Sequence, residues 1–171
     1  MDWEEYWKCL LDKKKLKARI EEMNQADEVQ NRSLRMADIC HMIYDDYQNS
    51  WREKLDKTKI EFQHLIEEFQ GVHLHSSRIK TIDSLLVKVI TKRYENLRNP
   101  QSLYYNIDGN NYKDIITDLI GMRLIVNYRG KWEVIHQEII RAFPYAEDRE
   151  RYEKGQLLPH EKSGKSILVE I

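Results

Sequence analysis

Arg78, Lys80, Ser84, Lys88, Lys92 and Arg93 form the densest polar grouping in the sequence. Arg78 and Lys80 are two residues apart, so on an extended segment their side chains leave from the same side. Ser84, Lys88 and Lys92 recur every four residues, which places them on one face of a helix. Three cations and a hydroxyl then converge where strand gives way to helix, with Lys92 one turn further on. Like charges held this close repel, and they make physical sense when an anion lies among them. A polyphosphate is the natural one, because arginine grips two oxygens at once and lysine supplies a compact point charge. The start of a helix adds unpaired backbone N–H groups and the positive end of its dipole. The competing reading is a solvated helix face, where basic residues are common.

Asp118 is the second candidate. It is followed by Gly121, Arg123 and the apolar, β-branched run Met122–Tyr128. A carboxylate at the mouth of a strand, facing a basic cluster, suits a magnesium ion, which takes one or two carboxylates plus substrate phosphates. An ordinary turn aspartate is the bland alternative, and Asp114, four residues earlier, is the alternative ligand. His73 and His75 could share a strand face, but no acidic or cysteine partner accompanies them, and they read as surface histidines. Tyr104 and Tyr105 could stack on a base or anchor a loop. His136 reads as structural, and Lys13–Lys15 as a solvated helix face.

The elements that must position these residues fall into two stretches, 1–70 and 71–171. Neither Pro nor Gly occurs before Gly71, and the first stretch reads as helix almost throughout. Trp3, Tyr6, Trp7, Leu10 and Leu11 recur at helical spacing. A second apolar stripe runs from Met36, Ile39, Cys40, Ile43 and Tyr47 to Leu65, Ile66 and Phe69. Two or three helices are expected here, with a break near Asn24–Asp27. After Gly71, Val72–His75 alternates and starts a short strand. Thr81 caps a helix with Leu85, Leu86, Val89 and Ile90 on its core face, and this helix stops before Pro100. Residues 99–111 are rich in turn formers, and Tyr112–Asp118 reads as a short helix or turn. Met122–Tyr128 reads as a buried strand, Lys131–Phe143 as an amphipathic helix closed by Pro144, and Ile167–Ile171 as another strand. Alternation of this kind predicts an α+β domain: a mixed sheet flanked by helices, with an N-terminal helical extension that covers it or mediates assembly into a homo-oligomer.

Composition sets the outer bounds. The 171 residues suffice for one domain with a real core and some peripheral helix. No apolar run approaches the roughly 20 residues of a membrane span, and no secretory signal opens the chain. The net charge of −1 argues against a general nucleic-acid coat protein, so DNA is not an expected partner. Cys9 and Cys40 form no CxxC and read as reduced, partly buried thiols of a cytoplasmic protein.

Taken together and in order, the two polar signals resemble the RelA/SpoT family of nucleotide pyrophosphokinases. Arg78, Lys80, Ser84 and Lys88 match its R-x-K, S-x-x-x-K pattern. Asp118, Gly121 and Arg123 match its D-x-x-G-x-R strand entry. The resemblance covers roughly residues 45–150, and the helix ending at Phe143 falls where the family places one. It implies a nucleotidyltransferase-like sheet and transfer of the β,γ-pyrophosphate of ATP to the 3′-hydroxyl of GDP or GTP, making (p)ppGpp. By position, Arg78, Lys80 and Lys88 would hold ATP phosphates with Ser84 assisting. Asp118 would bind Mg2+, and Arg123 would bind phosphate or support the strand. The family's G-Y-R-S-x-H motif has no counterpart, since no Gly-Tyr pair occurs. Glu170 is the candidate for the glutamate of the family's V-E-I-Q strand, an ordinary strand glutamate being the other reading. The chain thus shows an ATP side without an evident guanine side, and reads as ending before the synthetase domain is complete or as a divergent member. Two rivals share the ATP-side motifs: a toxin-like member that modifies adenosine nucleotides or the 3′ end of tRNA, and a catalytically inactive nucleotide-binding or scaffold module.

Overall fold

A computed structural model of the chain describes residues 2–30, 35–126, 132–142 and 166–169. Its elements run α1 (Trp3–Lys14), α2 (Lys17–Val29), α3 (Met36–Asp46), a π-helical turn (Tyr47–Trp51), α4 (Arg52–Glu67) and β1 (Val72–Ile79). They continue with α5 (Ile82–Glu95), a 3-10 turn (Leu103–Asn106), α6 (Tyr112–Ile115), β2 (Ile120–Val126), α7 (Trp132–Ala142) and β3 (Ser166–Val169). The α+β class is as expected. The chain packs as two compact units that interleave along the sequence. The first holds residues 1–54 and 80–119, and the second residues 55–79 and 120–171. This division follows different lines from the 1–70 and 71–171 stretches read from composition. Among the described residues no helix is long and apolar enough to cross a membrane.

The first unit is helical. Asp2 caps α1, its carboxylate accepting the Glu5 N–H at 2.8 Å, and Lys13 and Lys14 lie in the last turn, where they face the negative end of the helix dipole. The helix ends at Lys15, a non-glycine residue at φ 54°. In that left-handed region Cβ crowds the backbone. The turn is held because the Leu16 N–H reaches back to the Leu11 carbonyl at 3.0 Å. Trp3 stacks on His41 with ring centroids 4.5 Å apart, and Tyr6 meets Tyr44 at 4.8 Å, docking α1 on α3.

No break occurs at Asn24–Asp27. Helix α2 runs through that stretch, from just after the break at Lys15–Leu16 to its own end at Val29. The reason is tertiary. Asp27 is not a helix-ending polar residue but a buried one, and its carboxylate takes Arg93 Nη2 at 3.0 and 2.9 Å. Arg93 itself is only 3% exposed. It follows Leu85, Leu86, Val89 and Ile90 along the core face of α5, so it belongs to the interior rather than to the external cationic group. Each of those four aliphatic side chains is fully buried. Each contributes about 1.5–3 kcal/mol by leaving water. Cys40 is buried, and burial pushes its thiol pKa up, whereas Cys9 is exposed.

The second unit holds the sheet, of strand order β1-β2-β3. Both pairings are antiparallel, so among the described residues the sheet is not the mixed one expected from the alternation of helix and strand. The β1–β2 register places Ile79 opposite Ile120, Arg78 opposite Gly121 and Ser76 opposite Arg123, with an irregularity between Val72 and Leu74. Gly121 lies close against the arginine opposite it. A Cβ there would meet Arg78 Nε at 3.2 Å and Cγ at 3.4 Å, so the missing side chain makes room for the arginine's stem. Ile135 of α7 is buried, and Glu138 accepts the Gln70 N–H at 3.0 Å.

Breaking the Arg93–Asp27 pair from one side leaves a buried charge uncompensated. Arg93→Met should cost about 3–5 kcal/mol in urea unfolding, and the double variant Asp27→Leu/Arg93→Met should recover most of it. Lys15→Gly should act oppositely and stabilise by about 0.5–1 kcal/mol, read as a higher denaturation midpoint, because glycine carries no penalty at positive φ.

Candidate functional site: an aspartate between two lysines

Lys80 follows β1, and its backbone is fixed at both polar atoms. Its N–H donates to the Leu119 carbonyl at 2.8 Å, and its carbonyl accepts from the Tyr47 hydroxyl at 2.8 Å. Tyr47 belongs to the π-helical turn, where one inserted residue widens the helix and redirects its side chains. The segment leading to Asp118 is tied down separately. Tyr112 of α6 is fully buried and donates to Asp46 Oδ2 at 2.9 Å, and Lys113 Nζ meets the same oxygen at 2.9 Å. Thr81 caps α5, accepting the Ser84 N–H at 3.3 Å and donating to Ser84 Oγ at 2.9 Å. Next to it, Asp83 accepts the Tyr6 hydroxyl at 2.7 Å, so α1 is pinned to the first turn of α5. Burial first, and then that acidic partner, push the Tyr6 pKa up.

These anchors bring Asp118 between two ammonium groups. Lys80 Nζ lies 2.9 Å from Oδ2 and Lys88 Nζ 2.8 Å from Oδ1. The carboxylate side chain is 16% exposed, Lys80 13% and Lys88 29%. Burial alone would raise the Asp118 pKa, but the hydrogen-bonding and charge of Lys88 and Lys80 outweigh it, and the net direction is down. Oδ1 is fully shielded from solvent and, despite its distance from Lys88, has no well-aligned hydrogen-bond donor. Two cations share one anion here, so the cluster carries a surplus positive charge.

Beside it lies an open groove lined by Lys14, Ser84, Val87, Lys88, Thr91 and Lys92. Lys92 pairs with Glu95 at 2.9 Å, which raises its pKa, and lies 6.0 Å from the Tyr104 ring centroid. The structure therefore brings together Lys80, Lys88 and Asp118, with Ser84 on the groove that Lys88 also lines. These residues belong to the helical unit. Arg78 and Arg123 belong to the sheet unit, where both are exposed. Glu170 lies outside the described residues. Asp114, the alternative ligand, is exposed on α6. The Tyr47 and Leu119 contacts escaped sequence reading, since only the fold brings these positions to Lys80.

Among the described residues no group of three or more His, Cys, Asp or Glu side chains is placed to hold a metal ion. His73 and His75 form no such group. Asp118 offers one hard carboxylate with a shielded, poorly bonded oxygen. A magnesium ion, which takes most of its ligands from phosphates and water, would need this carboxylate freed from Lys80 and Lys88. Comparison of the chain with family models, curated proteins and solved structures returned no match.

Because the folded Asp118 pKa lies below its unfolded value, its ion pairs stabilise the fold fully above the ordinary carboxylate range. That contribution fades as pH falls from about 4 through the folded pKa. Asp118→Asn should flatten this acid limb in a plot of unfolding free energy against pH. An unchanged limb would mean that the carboxylate is not held as described.

Proposed function

We propose that the chain is a nucleotide pyrophosphokinase of RelA/SpoT type, with a nucleotidyltransferase-like sheet, that transfers the β,γ-pyrophosphate of ATP to the 3′-hydroxyl of GDP or GTP. The observation that carries the reading is the Asp118 carboxylate held between Lys80 and Lys88, residues that occupy matching places in the two motifs. In this reading the carboxylate stands where phosphate oxygens go. Lys80 and Lys88 turn from it to the phosphates of ATP, and Ser84 assists from the same helix. Arg78 and Arg123 are the remaining cations of the two motifs. Asp118, released from its lysines, would hold Mg2+, whose charge would offset that of the phosphates.

The acceptor oxygen attacks the β-phosphorus, the bond from that phosphorus to the α,β-bridging oxygen breaks, and AMP departs. The hydroxyl proton passes to a base, for which Glu170 is the candidate. Transfers of this kind depend chiefly on positioning and on neutralising charge, and the residue types at this site suit that task. In the same reading the protein works in the cytoplasm, and its N-terminal helices serve assembly.

The test is a thin-layer assay with γ-labelled ATP, magnesium and GDP or GTP. Label should appear in a guanosine tetra- or pentaphosphate and fall at least about 100-fold in Asp118→Ala. Label absent from guanine nucleotides would overturn the synthetase reading. Modification of an adenosine nucleotide or of the 3′ end of tRNA would then mark the toxin-like activity, and ATP binding without transfer would mark a binding module.

A further inference from the structure

The three lysines that line the groove beside Asp118 differ in how their charge is used. Lys88 is committed to Asp118 at 2.8 Å, and Lys92 to Glu95 at 2.9 Å. Lys14 is exposed and makes no ion pair among the described residues. It comes from α1, not from the helix whose lysine spacing drew attention. Its place is set by the Tyr6–Asp83 hydrogen bond at 2.7 Å, which fastens α1 to the first turn of α5, and by the left-handed Lys15 that ends α1 directly after it.

A helix C-terminus favours basic residues through its dipole alone, and that would account for Lys13 and Lys14 together. It does not account for Lys14 facing Ser84, Lys88 and Thr91 across a groove that Lys13 does not line. There, an ammonium group with no acidic partner meets two hydroxyl-bearing side chains and a lysine shared with Asp118. That combination suits an extended anion with several negative oxygens, since hydroxyls donate to such oxygens and lysines balance their charge.

We infer that Lys14 is a phosphate-binding residue, and that α1 forms one wall of the groove that takes the polyphosphate chain. The inference rests on the phosphate-binding reading of Lys80 and Lys88, and it adds a cation from the N-terminal helical stretch. All three of Lys13–Lys15 are exposed, as a solvated face requires, and the inference gives Lys14 alone a ligand.

Calorimetric titration of the full chain with magnesium ATP, and separately with tripolyphosphate, tests this with Lys14→Ala, Lys14→Arg, Lys13→Ala and Lys88→Ala. Lys14→Ala should weaken both ligands about three- to fivefold, as befits a solvent-facing ion pair, without moving the melting temperature. Lys14→Arg should restore binding, and Lys13→Ala should leave it unchanged. Full affinity in Lys14→Ala beside a loss in Lys88→Ala would overturn the role of Lys14 and leave the site standing. Equal weakening by Lys13→Ala would also overturn it, as the effect of general charge. No loss in either Lys88→Ala or Lys14→Ala would remove the phosphate site itself.

Discussion

Helix α5 carries Lys88 and Lys92, and its seat is set by a charge pair closed off from water. Arg93 sits at the far end of its core face and grips both carboxylate oxygens of Asp27 on α2. A pair of this kind adds little net stability, because each ion loses its hydration. What it does is forbid alternatives. Any roll or slide of α5 that separates the two groups strands a charge in an apolar interior. With Arg93 turned inward, the residues on the opposite face turn outward, and Ser84, Lys88 and Lys92 are presented to the groove.

The same logic governs the backbone around the site. Lys80 is held through its amide and its carbonyl, and the approach to Asp118 is held through Asp46, which takes both Tyr112 and Lys113. These anchors are polar but largely sheltered, so they set geometry more sharply than apolar contact does. An ammonium group is flexible on its stem. The positions of the backbone at its base and of the carboxylate it meets are not, and the site has its shape for that reason.

Much of this was legible in the sequence, and for a simple reason. Local rules act over three or four residues. The cap at Thr81, the core face of α5, the short helix at Tyr112 and the strand after Gly121 all follow from neighbours in the chain. The convergence of Lys80, Lys88 and Asp118 followed from spacing together with the order of the motifs. The misplacements share one cause. Arg93 looked like the end of a basic run, although it lies three residues beyond Ile90 on the apolar stripe, which was the available signal. Asp27 looked like a helix breaker because its partner lies 66 residues away. The Tyr47 bond to Lys80 and the approach of Lys14 to the groove are likewise products of tertiary packing, which no local pattern announces. The antiparallel pairing of the described strands was hidden because alternation of helix and strand does not fix strand direction.

The carboxylate between Lys80 and Lys88 also sets a threshold. Without a ligand, the two lysines already have a partner of one negative charge, fixed at contact distance and partly sheltered from water. An arriving chloride or acetate offers no more charge than Asp118 does, and must also shed its hydration shell. It gains little by replacing the carboxylate. A triphosphate brings several charges on a single chain and can satisfy both lysines while leaving the aspartate free for a cation. If the site binds anions as proposed, this arrangement would sort them by valence, with its own aspartate as the reference against which each competes.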